Sequence, residues 1–328
     1  MTKIDYRRLG KDGPSVSTIG LGCMGLSGVY GEAQDGQSEV LIRHALDLGI
    51  NHLDSSDMYG WGHNEEVVGR AIKGRRGEVF LATKFGQFRR EGTGNGVDGR
   101  PEYVQAACEA SLKRLGVDVI DLYYQHRVDP NVAVEETVGA MKRLVEQGKV
   151  KYLGMSEARP DRVRRAHAVH PIAAVQTEYS LLYRTEAEET RAITRALGIG
   201  FVAYSPLGRG FLTGAIKDLS DVDGRRAQHP RFQKEHFAHN RELARRIEAI
   251  AARKSCTPSQ LTLAWLLAQG DDVVAIPGTR YPPRLDENVG ALDVKLTPAE
   301  VAEISEAVPM GSASGTRYPE GGMKGVYL

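Results

Sequence analysis

A chain of 328 residues with a formal net charge of +1 and 26% charged residues is long enough for a large core. That balance carries no global attraction to nucleic acid or to an anionic membrane surface, so neither is an expected partner. Three widely spaced cysteines (Cys23, Cys108, Cys256), a polar Met1–Lys11 and no apolar run near the ~20 residues that span a bilayer exclude a disulfide framework, a cysteine metal cage and a membrane anchor, and point to the cytoplasm.

Tyr6–Leu9 and Val16–Ile19 flank Gly10-Lys11-Asp12-Gly13-Pro14 and predict an N-terminal β-hairpin. Eight strand-like runs follow, near Ile19–Leu21, Ile50–Asp54, Val79–Thr83, Val119–Tyr124, Lys151–Met155, Ala173–Gln176, Gly200–Tyr204 and Val273–Ile276. Helical patterns separate them. Pro101–Leu115 opens on proline and places Val104, Ala107, Cys108, Leu112 and Leu115 on one stripe before Gly116. Val132–Gln147 places Val134, Val138, Met141, Leu144 and Val145 inward before Gly148. Alternating strand and helix implies parallel pairing with right-handed crossovers. Eight such units fit an α/β (β/α)₈ barrel, residues 1–328 forming one domain, better than an open doubly wound sheet. Gln87–Arg100, Leu207–Lys234 and the Gly-rich tail Pro309–Leu328 break the rhythm and are expected as loops near the barrel mouth.

Gly20-Leu21-Gly22-Cys23-Met24-Gly25 matches the dinucleotide fingerprint G-x-G-x-x-G, but that motif needs a helix to start at once. Ser27-Gly28-Val29-Tyr30-Gly31-Glu32 carries no helical stripe, and a helix is expected only from about Gln37. The glycines instead let the first βα loop, with Gly22, Cys23 and Met24, pass close to a ligand.

Asp54, Lys84 and His126 each close an apolar strand-like run, and Tyr59 follows Asp54 in a loop of Tyr59-Gly60-Trp61-Gly62. In a barrel those strand ends converge on one mouth. A tyrosine acts as a general acid if its phenol is made more acidic, and the ammonium of Lys84, balanced by Asp54, is the expected cause. His126 would orient a carbonyl oxygen toward Tyr59. Hydride needs a donor that no side chain provides, so a nicotinamide or flavin is implied. Ser156 and Gln176 are expected to bind a carboxamide, and Tyr204 to offer a ring face. The turn Ser205-Pro206-Leu207-Gly208-Arg209-Gly210 is expected to meet a pyrophosphate. After the eighth strand come Gly278, Thr279, Arg280, Arg284, Glu287 and Asn288, with Arg280 expected to grip a 2′-phosphate and favour NADPH over NADH. The read strand ends offer too few His, Asp and Glu for a metal cage.

These segments resemble the aldo-keto reductase superfamily over nearly the whole chain: Asp54-Ser55-Ser56-Asp57-Met58-Tyr59-Gly60, Thr83-Lys84-Phe85-Gly86, Asp121–His126, Gly154-Met155-Ser156-Glu157, Tyr204–Gly210, Ile276-Pro277-Gly278-Thr279-Arg280 and Glu287-Asn288. Arg127 beside His126 and the Arg164–Pro171 segment are similar to a subgroup of aldehyde reductases that includes perakine reductase. The resemblance implies Tyr59 as proton donor in a tetrad with Asp54, Lys84 and His126. It also implies NADPH held by Ser156, Gln176 and Tyr204 at the nicotinamide, by Ser205, Leu207, Gly208 and Gly210 at the pyrophosphate, and by Thr279, Arg280, Arg284 and Asn288 at the adenosine end. Glu157 stands where many members carry Asn, which leaves its role open. The expected activity is reduction of small aldehydes or ketones to alcohols. Tyr30, Trp61, Phe85 and Arg127 are the expected substrate pocket, and a homo-oligomer is possible. The competing reading is an NADPH-binding regulatory subunit of the potassium-channel β type.

Overall fold

Eight parallel strands close on themselves. The computed structural model describes residues 2–29, 31, 33–90, 94–222 and 224–328. Its strands are β1 (Tyr6–Arg8), β2 (Ser15–Ser17), β3 (Leu21–Gly22), β4 (His52–Asp54), β5 (Phe80–Phe85), β6 (Gln87–Arg90), β7 (Gly94–Val97), β8 (Ile120–Gln125), β9 (Val150–Ser156), β10 (Ile172–Glu178), β11 (Gly200–Tyr204) and β12 (Val273–Ile276). The barrel order is β3-β4-β5-β8-β9-β10-β11-β12. A parallel bridge between Ile19 and Ala275 joins its two ends, with Gly20 N donating to the Ala275 carbonyl at 2.8 Å.

Closure explains the glycines of the false fingerprint. A Cβ on Gly20 would sit 2.8 Å from the His52 carbonyl oxygen, and one on Gly22 would sit 2.7 Å from that of Ile276. Both glycines let the short first strand squeeze between β4 and β12. A 3₁₀ turn over Cys23–Ser27 follows, and among the described residues no α-helix starts before Asp35, so the dinucleotide fingerprint is excluded by structure as well as by pattern.

The helices are α1 (Asp35–Asp47), α2 (His63–Ile72), α3 (Pro101–Leu115), α4 (Val134–Glu146), α5 (Pro160–Val169), α6 (Thr185–Leu197), α7 (Lys234–Arg253), α8 (Pro258–Leu267), α9 (Pro282–Val289), α10 (Pro298–Ala307) and α11 (Glu320–Met323). In α3, Pro101 takes the first turn, where its missing N–H costs nothing, and Gly116 ends it at φ 63°. Val104, Cys108, Leu112 and Leu115 bury one stripe against the sheet, each worth roughly 1.5–3 kcal/mol for a large aliphatic group.

Strand alternation divides the core in two. Phe80, Ala82, Leu122, Tyr124, Ala174, Val202, Val274 and Ile276 fill the barrel interior, and the opposite faces pack on the helices. Leu9 and Val16 of the antiparallel β1–β2 hairpin belong to the interior cluster and plug the bottom. With these layers set, the even-numbered ends Asp54, Lys84, His126, Ser156, Gln176 and Tyr204 share the inward stripe.

Two expected loops are more ordered than their sequence implied. Gln87–Arg90 and Gly94–Val97 form an antiparallel hairpin directly after β5. The 207–234 excursion buries Phe211, Ile216 and Phe232; Phe211 packs on Phe232 and Phe237 with ring centroids 5.0 and 5.4 Å apart. Its apolar residues are too scattered to show a period, yet they collect into one cluster.

His52, at the foot of β4, is fully buried against Phe80, and neither ring nitrogen has a hydrogen-bond partner among the described residues. Burial pushes its pKa down to about 4; Asp54 opposes this and Lys84 adds to it. The unfolded chain protonates this imidazole near its ordinary value of about 6.5, while the folded chain resists until about 4. Its contribution is therefore whole above pH 6.5 and lost as pH falls toward 4, at roughly 2–3 kcal/mol. Denaturant titrations at pH 7.5 and 4.5 should show this loss, and His52→Leu should make it smaller. An unchanged difference in the variant would assign the acid lability to other groups.

Candidate active site

Lys84 lies at the C-terminal end of β5 and is fully buried. Its Nζ pairs with Asp54 Oδ1 from the end of β4, donates to the Ser55 carbonyl at 2.8 Å and reaches the Tyr59 hydroxyl at 3.4 Å. Asp54 Oδ2 accepts from Gln176 Nε2 at 2.8 Å. The buried carboxylate is thus satisfied on both oxygens, and the buried ammonium on three sides. His126 follows β8, its N–H bonded to the Phe85 carbonyl at 2.8 Å. Its ring meets Tyr59 edge-on, with centroids 5.9 Å apart and planes at 84°. The four residues from three strand ends form one cluster.

The loop that carries Tyr59 is shaped by its backbone. Gly60, Trp61 and Gly62 all have positive φ (60°, 54° and 101°), which turns the chain sharply after Tyr59 and into α2. Asp57 N donates to the Lys84 carbonyl at 3.1 Å and ties the loop to β5.

The electrostatics correct one expectation. Burial raises the Tyr59 pKa; Lys84 lowers it and Asp54 raises it again, so the phenol is held above its ordinary value rather than below. The Lys84 ammonium is the largest influence favouring the phenolate, but burial, aided by Asp54, outweighs it while the phenol keeps its proton. For Lys84, burial opposes the charge, but Asp54 and then Tyr59 outweigh it, and the amine stays charged. His126 is held well below its ordinary value by burial, Arg127 and Lys84, so its imidazole is neutral. The Ser56 hydroxyl lies 3.0 Å from His126 Nδ1. When it donates there, the ring proton sits on Nε2, free to donate to a ligand. The cluster can therefore offer two neutral hydrogen donors, phenol and imidazole, backed by a fixed cation. Such a set suits an oxygen that gains negative charge.

The remaining expected residues divide by position. Ser156 and Gln176 are buried on the inward stripe in register with each other. Tyr204 ends β11 half-buried. Thr279 and Asn288 are buried, Gly278 and Arg284 exposed, and Arg280 and Glu287 between. Arg280 lies beside the first βα loop, its Nη1 3.4 Å from where a Cβ on Gly31 would be. The 205–210 turn is tight, with Ser205, Gly208, Arg209 and Gly210 all at positive φ. Gly208 and Gly210 spend their N–H groups on the Ser205 and Leu207 carbonyls, so they do not offer the free donors expected of them. Met24 is half-buried and Gly22 lies against β12. Cys23 is fully buried with its thiol pushed up to about 12 by burial, so it presents backbone only.

In the expected substrate pocket, Trp61 stands 45% exposed on the rim and Arg127 is half-buried. Phe85 corrects the expectation: it is fully buried and stacked on Tyr123 at 4.9 Å. Odd-numbered residues of β5 face the helices, so its ring belongs to the outer core. Tyr30 lies outside the described residues. Among the described residues no group of three His, Cys, Asp or Glu is placed to hold a metal, and no helix is long and apolar enough to cross a membrane. A groove of about 900 Å³ beside the N-terminal hairpin and Arg195 is at the opposite end of the barrel from the tetrad. Its size gives it no chemistry, and the cluster of buried ionisable groups marks the mouth instead.

Glu157 and Glu178 were missed or left open by sequence reasoning. Glu157 has no contact suited to a carboxamide amide: both its oxygens bond Arg317, each at 2.8 Å, and Oε1 also accepts from Tyr204 OH at 2.8 Å and Glu178 N at 3.1 Å. Glu178 lies two residues past Gln176, so the same strand alternation could have placed it inward.

The structure is thus a closed (β/α)₈ barrel with a Tyr-Lys-Asp-His cluster at its C-terminal mouth. Residues 18–309 match the Aldo/keto reductase family. The chain is 51% identical over 320 residues to "Probable aldo-keto reductase 1" of Glycine max, covering 96% of this chain and 92% of that protein. It is 48% identical over 335 residues to "Aldo-keto reductase yakc [NADP(+)]" of Schizosaccharomyces pombe, covering 99% and 97%. Among solved structures it is similar to the glycerol dehydrogenase of Gluconobacter oxydans, with TM-score 0.82, 28% identity and 96% and 99% of the two chains covered. An aldo-keto reductase of Bacillus halodurans in its holo form gives TM-score 0.78 at 29% identity, covering 97% and 99%. This chain belongs to the aldo/keto reductase family.

Proposed function

We propose that the protein reduces small aldehydes or ketones to alcohols with NADPH, Tyr59 giving the proton. The observation that carries this reading is the Tyr59 hydroxyl 3.4 Å from Lys84 Nζ, beside the neutral His126, on the inward stripe of the barrel mouth. The yeast relative's name includes NADP(+), and that relative matches nearly the whole chain.

The donor set fits such a cofactor. Buried, uncharged Ser156 and Gln176 match a carboxamide, and the face of Tyr204 matches a planar ring. At the other end, α9 begins with Pro282-Pro283, which removes two of its first N–H groups. Phosphate recognition there falls more heavily on Arg280 and Arg284. When bound, the nicotinamide supplies hydride to the carbonyl carbon. Tyr59 and the Nε2–H of His126 hold the carbonyl oxygen, and Tyr59 releases its proton as charge builds there. Lys84 stabilises the phenolate left behind, and Asp54 and Gln176 keep that ammonium in place.

The direct test is a panel of aromatic and aliphatic carbonyls followed at the NADPH absorbance band. Absence of turnover across the panel, with NADPH bound, would remove the reductase reading. Arg280→Ala is expected to weaken NADPH by on the order of tenfold or more while leaving NADH nearly unaffected, because only the 2′-phosphate loses a charge-assisted pair. Equal loss for both cofactors, read by fluorescence titration, would remove the 2′-phosphate role.

A further inference from the structure

Five charged side chains are packed together where the chain's tail meets the barrel mouth. Glu157 and Glu178 come from the ends of β9 and β10, Arg209 and Arg231 from the excursion after β11, and Arg317 from the tail. Each side chain is at most 9% exposed. Arg317 grips Glu157 with both Nη atoms and lies 3.9 Å from Glu178. Arg209 reaches Glu178 at 3.1 Å and also donates to the Arg317 carbonyl at 2.9 Å. Arg231 reaches Glu178 at 3.2 Å.

Glu157 holds the tail a second time through its backbone. Leu328 N donates to the Glu157 carbonyl at 3.2 Å, and Arg159 N donates to the Leu328 carbonyl at 2.9 Å. Glu157 sits at φ 56°, a conformation costly for a residue with a Cβ and kept where surroundings over-determine it. One contact leads from this assembly to the proposed nicotinamide bed. The Tyr204 hydroxyl donates to Glu157 Oε1 at 2.8 Å and stands 3.0 Å from the Tyr318 hydroxyl. Arg209 in turn lies over the Tyr318 ring, 4.6 Å from its centroid.

We infer that Glu157 and Arg317 are positioning residues for the reduction: together they latch the tail over the mouth and fix the Tyr204 ring on which the nicotinamide rests. This rests on the NADPH-reductase reading above. A carboxylate, unlike an amide at this position, can take the Arg317 fork on both oxygens and still accept from Tyr204. The latch spans 160 residues of sequence and acts on the ring without touching the substrate.

The test uses the whole 328-residue chain with Glu157→Gln, Arg317→Gln, the double variant, Arg317→Lys and Tyr318→Phe. Carboxypeptidase trimming from Leu328, read by mass spectrometry, reports the tail; fluorescence titration reports NADPH affinity; kcat and KM report the reaction. Glu157→Gln and Arg317→Gln should each speed trimming and lower kcat by on the order of tenfold to a hundredfold, with a smaller change in the carbonyl's KM. The double variant should be no worse than either single, because the two residues act as one unit. Arg317→Lys, which keeps the charge and loses the fork, should recover part of kcat. Tyr318→Phe should leave the tail resistant yet lower kcat several-fold. Faster trimming with unchanged kcat and NADPH affinity, or single losses that multiply in the double, would overturn the inference. If Arg317→Gln does not fold, Glu157→Gln and Tyr318→Phe carry the same decision, and unchanged kcat in both would overturn the inference. Failure of the reductase reading is separate: it appears as a wild-type protein without turnover or a Tyr59→Phe variant with full turnover.

Discussion

Tyr59→Phe is expected to lower kcat by roughly two to four orders of magnitude while NADPH affinity stays within about twofold. Among the described residues the phenol's hydroxyl has only the 3.4 Å contact with Lys84 to lose, so the variant should melt close to wild type. The sign of the Tyr59 pKa matters for the pH profile. Burial holds the phenol above its ordinary value, so the free enzyme keeps its proton across the neutral range. Carbonyl reduction should therefore show no loss from Tyr59 ionisation below about pH 10. A fall in kcat/KM near neutrality that vanishes in Tyr59→Phe would contradict this, as would a variant that reduces an accepted aldehyde at the wild-type rate.

Lys84→Met should harm both stability and turnover. Removing the ammonium leaves Asp54, only 2% exposed, with Gln176 as its remaining side-chain donor among the described residues. Breaking one half of a buried pair typically costs about 3–5 kcal/mol. Turnover should fall by two orders of magnitude or more, since the largest influence favouring the phenolate is then gone. The double variant Lys84→Met with Asp54→Asn separates the two effects. It should recover much of the stability, because no unpaired charge remains, and none of the activity. Thermal melts and single-turnover rates read the two halves. Recovery of activity in the double variant would show that the ammonium acts only by neutralising Asp54.

Much of this site could be read before any coordinates. Asp54, Lys84, His126, Ser156, Gln176 and Tyr204 each end a short apolar run, and a period of two then fixes their common face. The same rule, applied one residue further, separates Lys84 from Phe85. By that rule Phe85 turns away from the mouth and into the outer core. Apolar patterning also gave the eight strands, although β3 proved only two residues long because closure rests on a bridge at Ile19. The 207–234 excursion was unreadable for a different reason: Phe211, Phe232 and Phe237 share no period, and only folding brings their rings together.

The sequence by itself determined the barrel and the face on which its chemistry lies, because these follow from local spacing and strand alternation, and its motifs carried the resemblance to the family. Tertiary structure alone decided that Tyr59 keeps its proton, since desolvation depends on what surrounds a ring and not on its neighbours in sequence. It alone decided the partner of Glu157, because an arginine in a Gly-rich tail carries no local mark of the carboxylate it will meet.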